Sequence, residues 1–292
     1  MAHRIPDWDL NWQAVYRYAK PVFLPRGTVI SMRYLYDNSD KNPRNPFHPP
    51  RPVSAGNQAT DEMGHLWLQV LPTGEKDERM ILQEALMQHR LEKYPGDFSA
   101  LFNLGALHLA RKDAAAMLPL LQDAVRAQPE QPVALNTLGA AFESLGRNEE
   151  AVVQFRQALR VQPSYSNARY NLANSLADLG DLDAAIAEFK TLLAGNPDDQ
   201  NARQHLEIAL EERGTDHVRT GNWQAAESCF RELAELDPAS SQTHDQLGLV
   251  LAKRGNAAEA LKEFRRALAA DPNDQTAQKN IEWLMRNGRT DQ

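Results

Sequence analysis

The sequence predicts a mainly α-helical protein in which stacked helix pairs form a right-handed superhelical solenoid, preceded by a small β-rich N-terminal segment. The first observation behind this prediction is a set of evenly placed prolines: Pro95, Pro129, Pro163, Pro197, Pro238 and Pro272. They lie 34 residues apart, except for one interval of 41. A fixed period of this length is the signature of a repeat architecture, in which each unit stacks on its neighbours. The second observation is that residues 1–75 lack this period.

The first 75 residues have the composition of β-structure. Residues 10–19, 21–36 and 62–71 contain Val, Tyr, Trp and Ile in partial alternation, which is typical of strands. Between them, residues 37–60 hold five prolines within ten residues, which neither a helix nor a central strand tolerates. We therefore expect a β-rich segment that is interrupted by a long loop or linker.

Four runs of this segment are similar to a known family: IPDWDLNWQ at 5–13, LPRGT at 24–28, YDNSDKNPRNP at 36–46 and QATDEM at 58–63. They resemble the end of the second jelly-roll domain of bacterial copper type II, ascorbate-dependent monooxygenases, which implies a partial jelly roll here. In that family the Met of the last run is a thioether ligand of the oxygen-activating copper, so the resemblance assigns this role to Met63. A thioether is a soft ligand that suits Cu(I).

The other ligands of such a copper site are missing from the sequence. The family's two imidazole ligands come from a His-x-His motif upstream of the WDxNWQ strand, and this chain contains no His-x-His. The histidines of the preceding jelly roll, which hold the family's second copper, have no counterpart either. We therefore expect no cofactor and no metal, with Met63 a ligand only if upstream residues complete the site.

An entry segment over residues 76–97 is expected to lead into the repeats. Its helix is predicted over residues 76–94 and ends at Pro95, because Pro lacks the N–H that a helix needs. Five repeats and a cap follow it. The repeats span residues 98–131, 132–165, 166–199, 200–240 and 241–274, and residues 275–292 form a capping helix and tail. A cap is expected because the exposed end of a solenoid is apolar.

The same residue types recur at the same places within the repeats. In the second repeat, Gly139 lies in the predicted first helix, and Ala151 and Phe155 lie in the second. This pattern resembles that of tetratricopeptide repeats, in which a small residue lets two helices approach and a large apolar residue fills the space to the next pair. The resemblance implies that Phe155, Phe189 and Phe264 lie between successive helix pairs.

Two further features concern the turns and the longer fourth repeat. Gly146, Gly180 and Gly255 fall at the turn inside a helix pair, where a residue with positive φ ends the first helix. Residues 200–219 read as a first helix lengthened by seven residues, which is about two turns and returns the apolar face to nearly the same side. Because Gly214 and the following Thr are poor helix formers, a break there is the alternative.

Composition and charge exclude several classes of function. Cys229 is the single cysteine, so no intrachain disulfide and no Cys-rich zinc site is expected. Of the net charge of −7, residues 1–75 contribute eight Lys or Arg against seven Asp or Glu, which leaves the repeats acidic. Nucleic-acid binding needs clustered basic residues, so none is expected, and a basic or neutral peptide suits the repeats better.

No stretch of 18 apolar residues occurs, and the first twelve residues lack the apolar core of a secretory signal. We therefore expect no membrane association and a cytoplasmic location for the chain as it stands, or a periplasmic one if it is the tail of a longer exported protein. Phosphate-binding loops, GxSxG, HExxH and EF-hand motifs are absent. The chain is therefore not expected to be an enzyme.

Asparagines in the first helices suggest where a partner binds. The runs FNLG at 102–105, LNTLG at 135–139 and YNLAN at 170–174 resemble the repeats of O-linked N-acetylglucosamine transferases, whose Asn side chains hold peptide backbone. The residues predicted to line such a peptide-binding groove, at about 34-residue intervals, are Phe102, Asn103, Asn136, Tyr170, Asn171 and Asn174. An amide offers one acceptor and two donors for a peptide backbone, and the two aromatic residues add apolar pockets. Solvated surface asparagines are the alternative.

Together these patterns predict a non-enzymatic scaffold that binds a peptide or a partner protein in the concave groove of the solenoid. The alternative is a truncated or inactive fragment of an exported copper-dependent monooxygenase-like protein.

The missing histidines give a direct test. Because only Met63 of the expected ligand set is present, the purified protein should take up no stoichiometric copper, as measured by metal analysis after copper loading and desalting. A one-to-one copper complex that is lost on Met63→Ala would contradict this expectation.

Overall fold

The computed structural model describes residues 79–287 and the single residue Lys41. The predicted β-rich segment 1–75, with Met63, therefore lies outside the continuous described part. Within residues 79–287 the regular structure is entirely helical. The twelve helices of this part are α1 (Arg79–Lys93), α2 (Phe98–Ala110), α3 (Ala114–Ala127), α4 (Pro132–Glu143), α5 (Asn148–Val161), α6 (Ser166–Asp178), α7 (Leu182–Gly195), α8 (Gln200–Arg219), α9 (Trp223–Leu236), α10 (Ser241–Lys253), α11 (Ala257–Ala270) and α12 (Gln275–Asn287).

The helices are arranged as stacked pairs. Helices α2 and α3, α4 and α5, α6 and α7, α8 and α9, and α10 and α11 form five antiparallel pairs, each in contact with the next, and α12 packs on the last pair. Helix α1 is tied to the first pair by two ion pairs, Arg111–Glu84 and Arg90–Asp97, both at 2.6 Å. The predicted mainly α solenoid of helix pairs is confirmed for residues 79–287, and the right-handed sense of the superhelix stays a prediction.

The turn inside each helix pair uses positive φ where the sequence predicts it. Gly146, Gly180 and Gly255 have φ of 70°, 79° and 82°. In the first pair this place is taken by Lys112, with φ of 57°, although an L-residue adopts this conformation at some cost. The helix that follows often begins with a side-chain cap, as at Asp181, whose carboxylate accepts the amide N–H of residue 184.

In the second, fourth and fifth pairs the two helices cross at a glycine that touches a ring, and in the first pair Gly105 touches Leu121. A Cβ atom built on Gly139 would lie 2.4 Å from the ring of Phe155, and one on Gly248 would lie 2.6 Å from the ring of Phe264. Phe155, Phe189 and Phe264 are completely buried in one core cluster that continues from pair to pair. The burial of these rings is therefore confirmed, and Phe189 also contacts His205 of the next pair with ring centroids 5.8 Å apart. The position of Phe155 and Phe264 between pairs stays a prediction.

Helix α8 is the longest helix of the described part. It has 20 residues, against 13 in α2, α6 and α10, and it continues without a break through Gly214 and Thr215. The alternative of a break there is wrong for a packing reason. Gly214 is buried, and its added Cβ would lie 2.8 Å from the ring of Phe230, so this glycine marks the helix crossing of the fourth pair.

The turns between pairs are closed by a side chain from the following helix. In the later repeats a donor six residues after the proline reaches the proline carbonyl oxygen. These bonds are Arg169 to Pro163 at 2.8 Å, Arg203 to Pro197 at 2.9 Å, His244 to Pro238 at 3.1 Å and Gln278 to Pro272 at 3.4 Å. In the first two repeats the equivalent residues are Leu101 and Leu135, which are buried. The inter-pair turns are thus fixed by two different kinds of contact.

Gly214 allows the helix-crossing explanation to be tested against helix propensity. Propensity favours Gly214→Ala by about 1 kcal/mol, but the added methyl group collides with Phe230, so we expect a net loss of about 1–3 kcal/mol in the free energy of unfolding. Gly195→Ala is the matched control. Gly195 is exposed at the end of α7 with nothing within 4 Å of an added Cβ, so it should be neutral or stabilising. Urea denaturation of both variants is the measurement, and equal stabilisation by both would contradict the role of Gly214.

Candidate functional site

The first helices of the pairs lie closer together than the second helices. Direct contacts join α2 to α4, α4 to α6, α6 to α8 and α10 to α12, whereas within residues 79–287 no comparable contacts join α3, α5, α7, α9 and α11 to one another. In a curved stack the helices on the inner side approach most closely. Helices α2, α4, α6, α8, α10 and α12 therefore line the inner surface of the array, the usual binding surface of solenoids.

The centre of this inner surface carries an amide pair. Nδ2 of Asn171 on α6 donates a hydrogen bond of 3.0 Å to Oδ1 of Asn136 on α4, and both residues are half-buried. Within the described residues, Nδ2 of Asn136 and Oδ1 of Asn171 have no hydrogen-bond partner. The pair thus keeps a donor and an acceptor available side by side, which complements the C=O and N–H of one residue in an extended peptide.

The predicted asparagines form two adjacent rows, not one row at a strict 34-residue interval. Asn103 and Asn171 are two periods apart and share a repeat position. Asn136 stands at the preceding position, which Phe102 and Tyr170 occupy in the neighbouring repeats. Because the rows are adjacent, an amide of one repeat can reach the amide of the next. Asn103 is exposed at the α2 end of the surface.

Asn174 lies one helical turn after Asn171 on the same face of α6 and is half-buried. Among the described residues no hydrogen bond joins Asn174 to the amide pair. The structure therefore brings together two of the four predicted asparagines.

Aromatic side chains flank the amide pair. The rings of Phe98 and Phe102 stack with centroids 5.7 Å apart at the α2 end. Tyr170 packs edge-on against His205 and Phe189, with centroids 5.3 Å and 6.1 Å away. The contact of Tyr170 with His205 is not apparent from the sequence, because His205 lies on the lengthened helix, where the repeat position is ambiguous.

Two carboxyl groups lie on the same helix faces as the amide pair. Glu143 and Asp178 each follow an asparagine of the pair by seven residues, which is about two turns. Burial raises the pKa of Glu143, and the negative charge of Asp178 raises that pKa further. The amide pair is thus flanked by negative potential, which suits a basic or neutral segment better than an acidic one.

A second pair of carboxyl groups lies where the last repeat meets α12. Asp245 is buried, with 8% of its surface exposed, and it stands at the repeat position of Asn136 and Tyr170. Burial, and then the charge and hydrogen bonding of Asp274, raise the pKa of Asp245 to about 6. The signal in the sequence is an acid at a position where the first three repeats have an aromatic or amide residue; the fourth repeat also has an acid there, Glu211.

The other polar clusters of the described part have structural explanations. An open cavity of about 670 Å³ between α9, α10 and α11 is lined by His244 and Glu263, among others. These two side chains pair at 2.8 Å, His244 also bonds the carbonyl of Pro238, and Glu263 pairs with Arg266. Between residues 79 and 287 no group of three or more His, Cys, Asp or Glu is arranged to hold a metal ion.

No helix in the described part of the chain combines the length and the apolar character needed to cross a membrane.

Two stretches of the chain match the model of a tetratricopeptide repeat family, residues 136–200 and 211–275. These two stretches are therefore similar to tetratricopeptide repeats, and the interval between the two matches lies in the first half of the long α8. Tetratricopeptide repeats are stacked helical units with extended binding surfaces, and they serve as protein-interaction scaffolds. The matches do not include residues 1–75, and the resemblance of that segment to copper monooxygenases has no support from the comparisons.

Solved structures match the helical array. A tetratricopeptide-repeat protein from Bacteroides fragilis is 15% identical, with 65% of this chain and 98% of that chain covered and a TM-score of 0.51. The structure of Naa15/Naa10 bound to HypK-THB is 15% identical over 70% of this chain and 32% of that chain, with a TM-score of 0.53. YrrB, described as a TPR protein with an unusual peptide-binding site, is 19% identical over 67% of this chain and 97% of that chain, with a TM-score of 0.48. At these identities the two structures with a TM-score above 0.5 show the fold alone.

A search of curated proteins finds no match to this chain.

The raised pKa of Glu143 predicts a stabilising substitution. An acid whose pKa is higher in the folded state contributes most at low pH and loses that contribution as the pH rises through its folded pKa. Glu143→Gln should therefore raise the melting temperature at pH 7.5 more than at pH 4. The exposed Glu149→Gln on α5 is the control, and thermal unfolding followed by circular dichroism is the measurement. A gain of equal size at both pH values would contradict the prediction.

Proposed function

We propose that the repeat array is a non-enzymatic scaffold that binds an extended peptide segment of a partner protein along its inner surface. The amide pair formed by Asn136 and Asn171 is the observation that carries this proposal. Its free donor and free acceptor match the C=O and N–H of one extended residue, which point to the same side of the peptide, and they require no particular side chain of the partner.

The amide pair is also suited to this role because it is held in place before a partner arrives. The 3.0 Å bond between the two side chains fixes their orientation, so binding immobilises fewer side chains than it would with two free asparagines. Packing of Tyr170 against His205 and Phe189 holds the neighbouring part of α6. The stacked rings of Phe98 and Phe102 supply an apolar contact for a side chain of the peptide at the α2 end.

The charge of the inner surface narrows the class of peptide. Glu143 and Asp178 place negative charge on both helices that supply the amides, and the charge of Asp178 contributes to the raised pKa of Glu143 because the two carboxyl groups repel each other. A Lys or Arg near the bound peptide group relieves this repulsion. The proposed partner segment is therefore extended, backbone-bound, and basic or neutral.

Selection from a random peptide library tests the proposal, because such a library samples many side chains at every position of the peptide. Twelve-residue peptides displayed on phage are selected on the full-length protein, and the affinity of the selected peptides is measured by fluorescence anisotropy. Asn136→Ala/Asn171→Ala should weaken their binding about tenfold, since two hydrogen bonds of roughly 0.5–1.5 kcal/mol each are lost. Replacing both partners leaves no unpaired buried amide, so the variant should stay folded.

The control is Asn196→Ala/Asn273→Ala, which removes two exposed amides in turns between repeats. Its binding should equal that of the unchanged protein. Selected peptides that bind the Asn136→Ala/Asn171→Ala variant with full affinity would exclude the inner surface as the site. A library that yields no binding peptide would contradict peptide recognition as such.

A further inference from the structure

Helix α12 is attached to the last repeat through the carboxylate of Asp274. Oδ1 of Asp274 accepts the amide N–H groups of Thr276 and Ala277 at 2.9 Å and 3.0 Å, which caps the first turn of α12. Its Oδ2 accepts the hydroxyl of Ser241 on α10. One carboxylate thus connects the start of α12 to the start of α10.

Asp245 contacts the same carboxylate from the second turn of α10. The two carboxyl groups are within hydrogen-bonding reach of each other, and two ionised carboxylates cannot share a hydrogen bond because neither has a proton to donate. Ser241 and the amides of α12 lower the pKa of Asp274, so the shared proton resides on Asp245. Oδ1 of Asp245 is buried and has no hydrogen-bond partner among the described residues. The cost of removing an ionised Asp245 from water is therefore not offset by a hydrogen bond to this oxygen.

No neighbouring positive charge in the described part neutralises Asp245. Among the elements packed against α10, Asp274 is the charged residue whose field acts on this carboxyl group. Three acidic residues of the other helices around α10 are engaged with partners of their own: Glu211 of α8 accepts a hydrogen bond from Gln242, Glu263 of α11 pairs with His244 and Arg266, and Glu227 of α9 pairs with Arg254. Ionisation of Asp245 therefore places two negative charges in contact at the joint with α12.

We propose that Asp245 and Asp274 form a pH-sensitive latch, in which protonated Asp245 holds α12 on the last repeat and ionised Asp245 loosens it. Helix α12 buries Ala277 and Leu284 against the last pair, so its loosening uncovers the end of the core. Helix α12 completes the C-terminal end of the inner surface. This end is therefore intact at acidic pH, and it opens as the pH rises towards neutral. The latch is independent of the amide pair and of the peptide that it binds.

The sign of the effect follows from the raised pKa of Asp245. The latch contributes fully to the stability of the packing of α12 below the ordinary pKa of an aspartate, near 4. This contribution is lost as the pH rises through about 6, the raised pKa of Asp245. Between pH 5 and pH 7.5 this linkage corresponds to a change of about tenfold in the opening equilibrium of α12.

Hydrogen exchange measured by mass spectrometry on the full chain tests the latch. Amide protection factors of α12, corrected for intrinsic exchange, should be about tenfold lower at pH 7.5 than at pH 5, while those of α4 to α6 change less. Asp245→Asn keeps a donor for Asp274 and removes the titrating group, so α12 should then be protected equally at both pH values. Asp274→Asn retains a good helix cap and removes the repelling charge but not the burial of Asp245, so it should reduce the pH dependence without abolishing it.

Asp271→Asn is the matched control, since Asp271 is an exposed carboxylate of the same turn and does not contact Asp245. This variant should keep the full pH dependence of α12. The latch is overturned if α12 of the unchanged protein is equally protected at pH 5 and pH 7.5, or if either Asn variant at the pair retains the tenfold difference. Because the unchanged protein alone can overturn it, the test does not depend on the folding of any variant.

Discussion

The close contact between a small residue of the first helix and a large apolar side chain of the second sets the geometry of the pairs, and in three of the five described pairs it joins a glycine to a ring. Gly139 meets Phe155, Gly214 meets Phe230 and Gly248 meets Phe264, in every case across 16 residues of sequence. Without a Cβ atom, two helix backbones approach closely enough for one aromatic ring to fill the remaining space at the density of a protein core. Pairs of constant geometry then stack with a constant offset, which is what generates an extended inner surface.

The side chains on the inner surface differ from repeat to repeat, although the helix pairs that carry them are regular. The position held by Phe102 in the first repeat is held by Asn136, Tyr170 and Asp245 in later ones. One structural position therefore supplies an apolar contact, an amide, an aromatic ring and a titrating acid along a single surface. Helix pairs that all cross at a small residue can carry a partner-specific pattern, because the crossing residues and the surface residues lie on different faces of the same helix.

The helices, the turns and the buried rings can be predicted from the sequence because each depends on contacts within one 34-residue unit. Gly146 and Phe155 are defined by their own repeat, and the structure confirms the turn at one and the burial of the other. Gly214 is harder to predict, since its helix propensity suggests a break and only the 16-residue distance to Phe230 identifies it as a crossing residue. Tertiary packing decides the conformation at such positions.

The contacts that join different repeats cannot be predicted in the same way. The bond between Asn136 and Asn171 and the contact between Asp245 and Asp274 depend on how one pair is rotated against the next. A repeat period gives the position of a residue along its helix, but it does not give this rotation. The asparagines can therefore be assigned to the inner surface from the sequence, while their pairing requires the structure.

The hydrogen bonds to the proline carbonyl oxygens make each of the later units depend on the unit that follows it in the chain. In each later turn the donor that closes the turn belongs to the following unit, as with Arg169 and Pro163 or His244 and Pro238. A unit in this part of the array therefore completes its own boundary only when its C-terminal neighbour is folded, whereas the first two boundaries rest on the buried Leu101 and Leu135. The two ends of the array therefore contribute differently to folding cooperativity. Loss of a unit at the C-terminal end also weakens the turn before it, whereas loss of a unit at the N-terminal end leaves the turn at the end of the next unit complete.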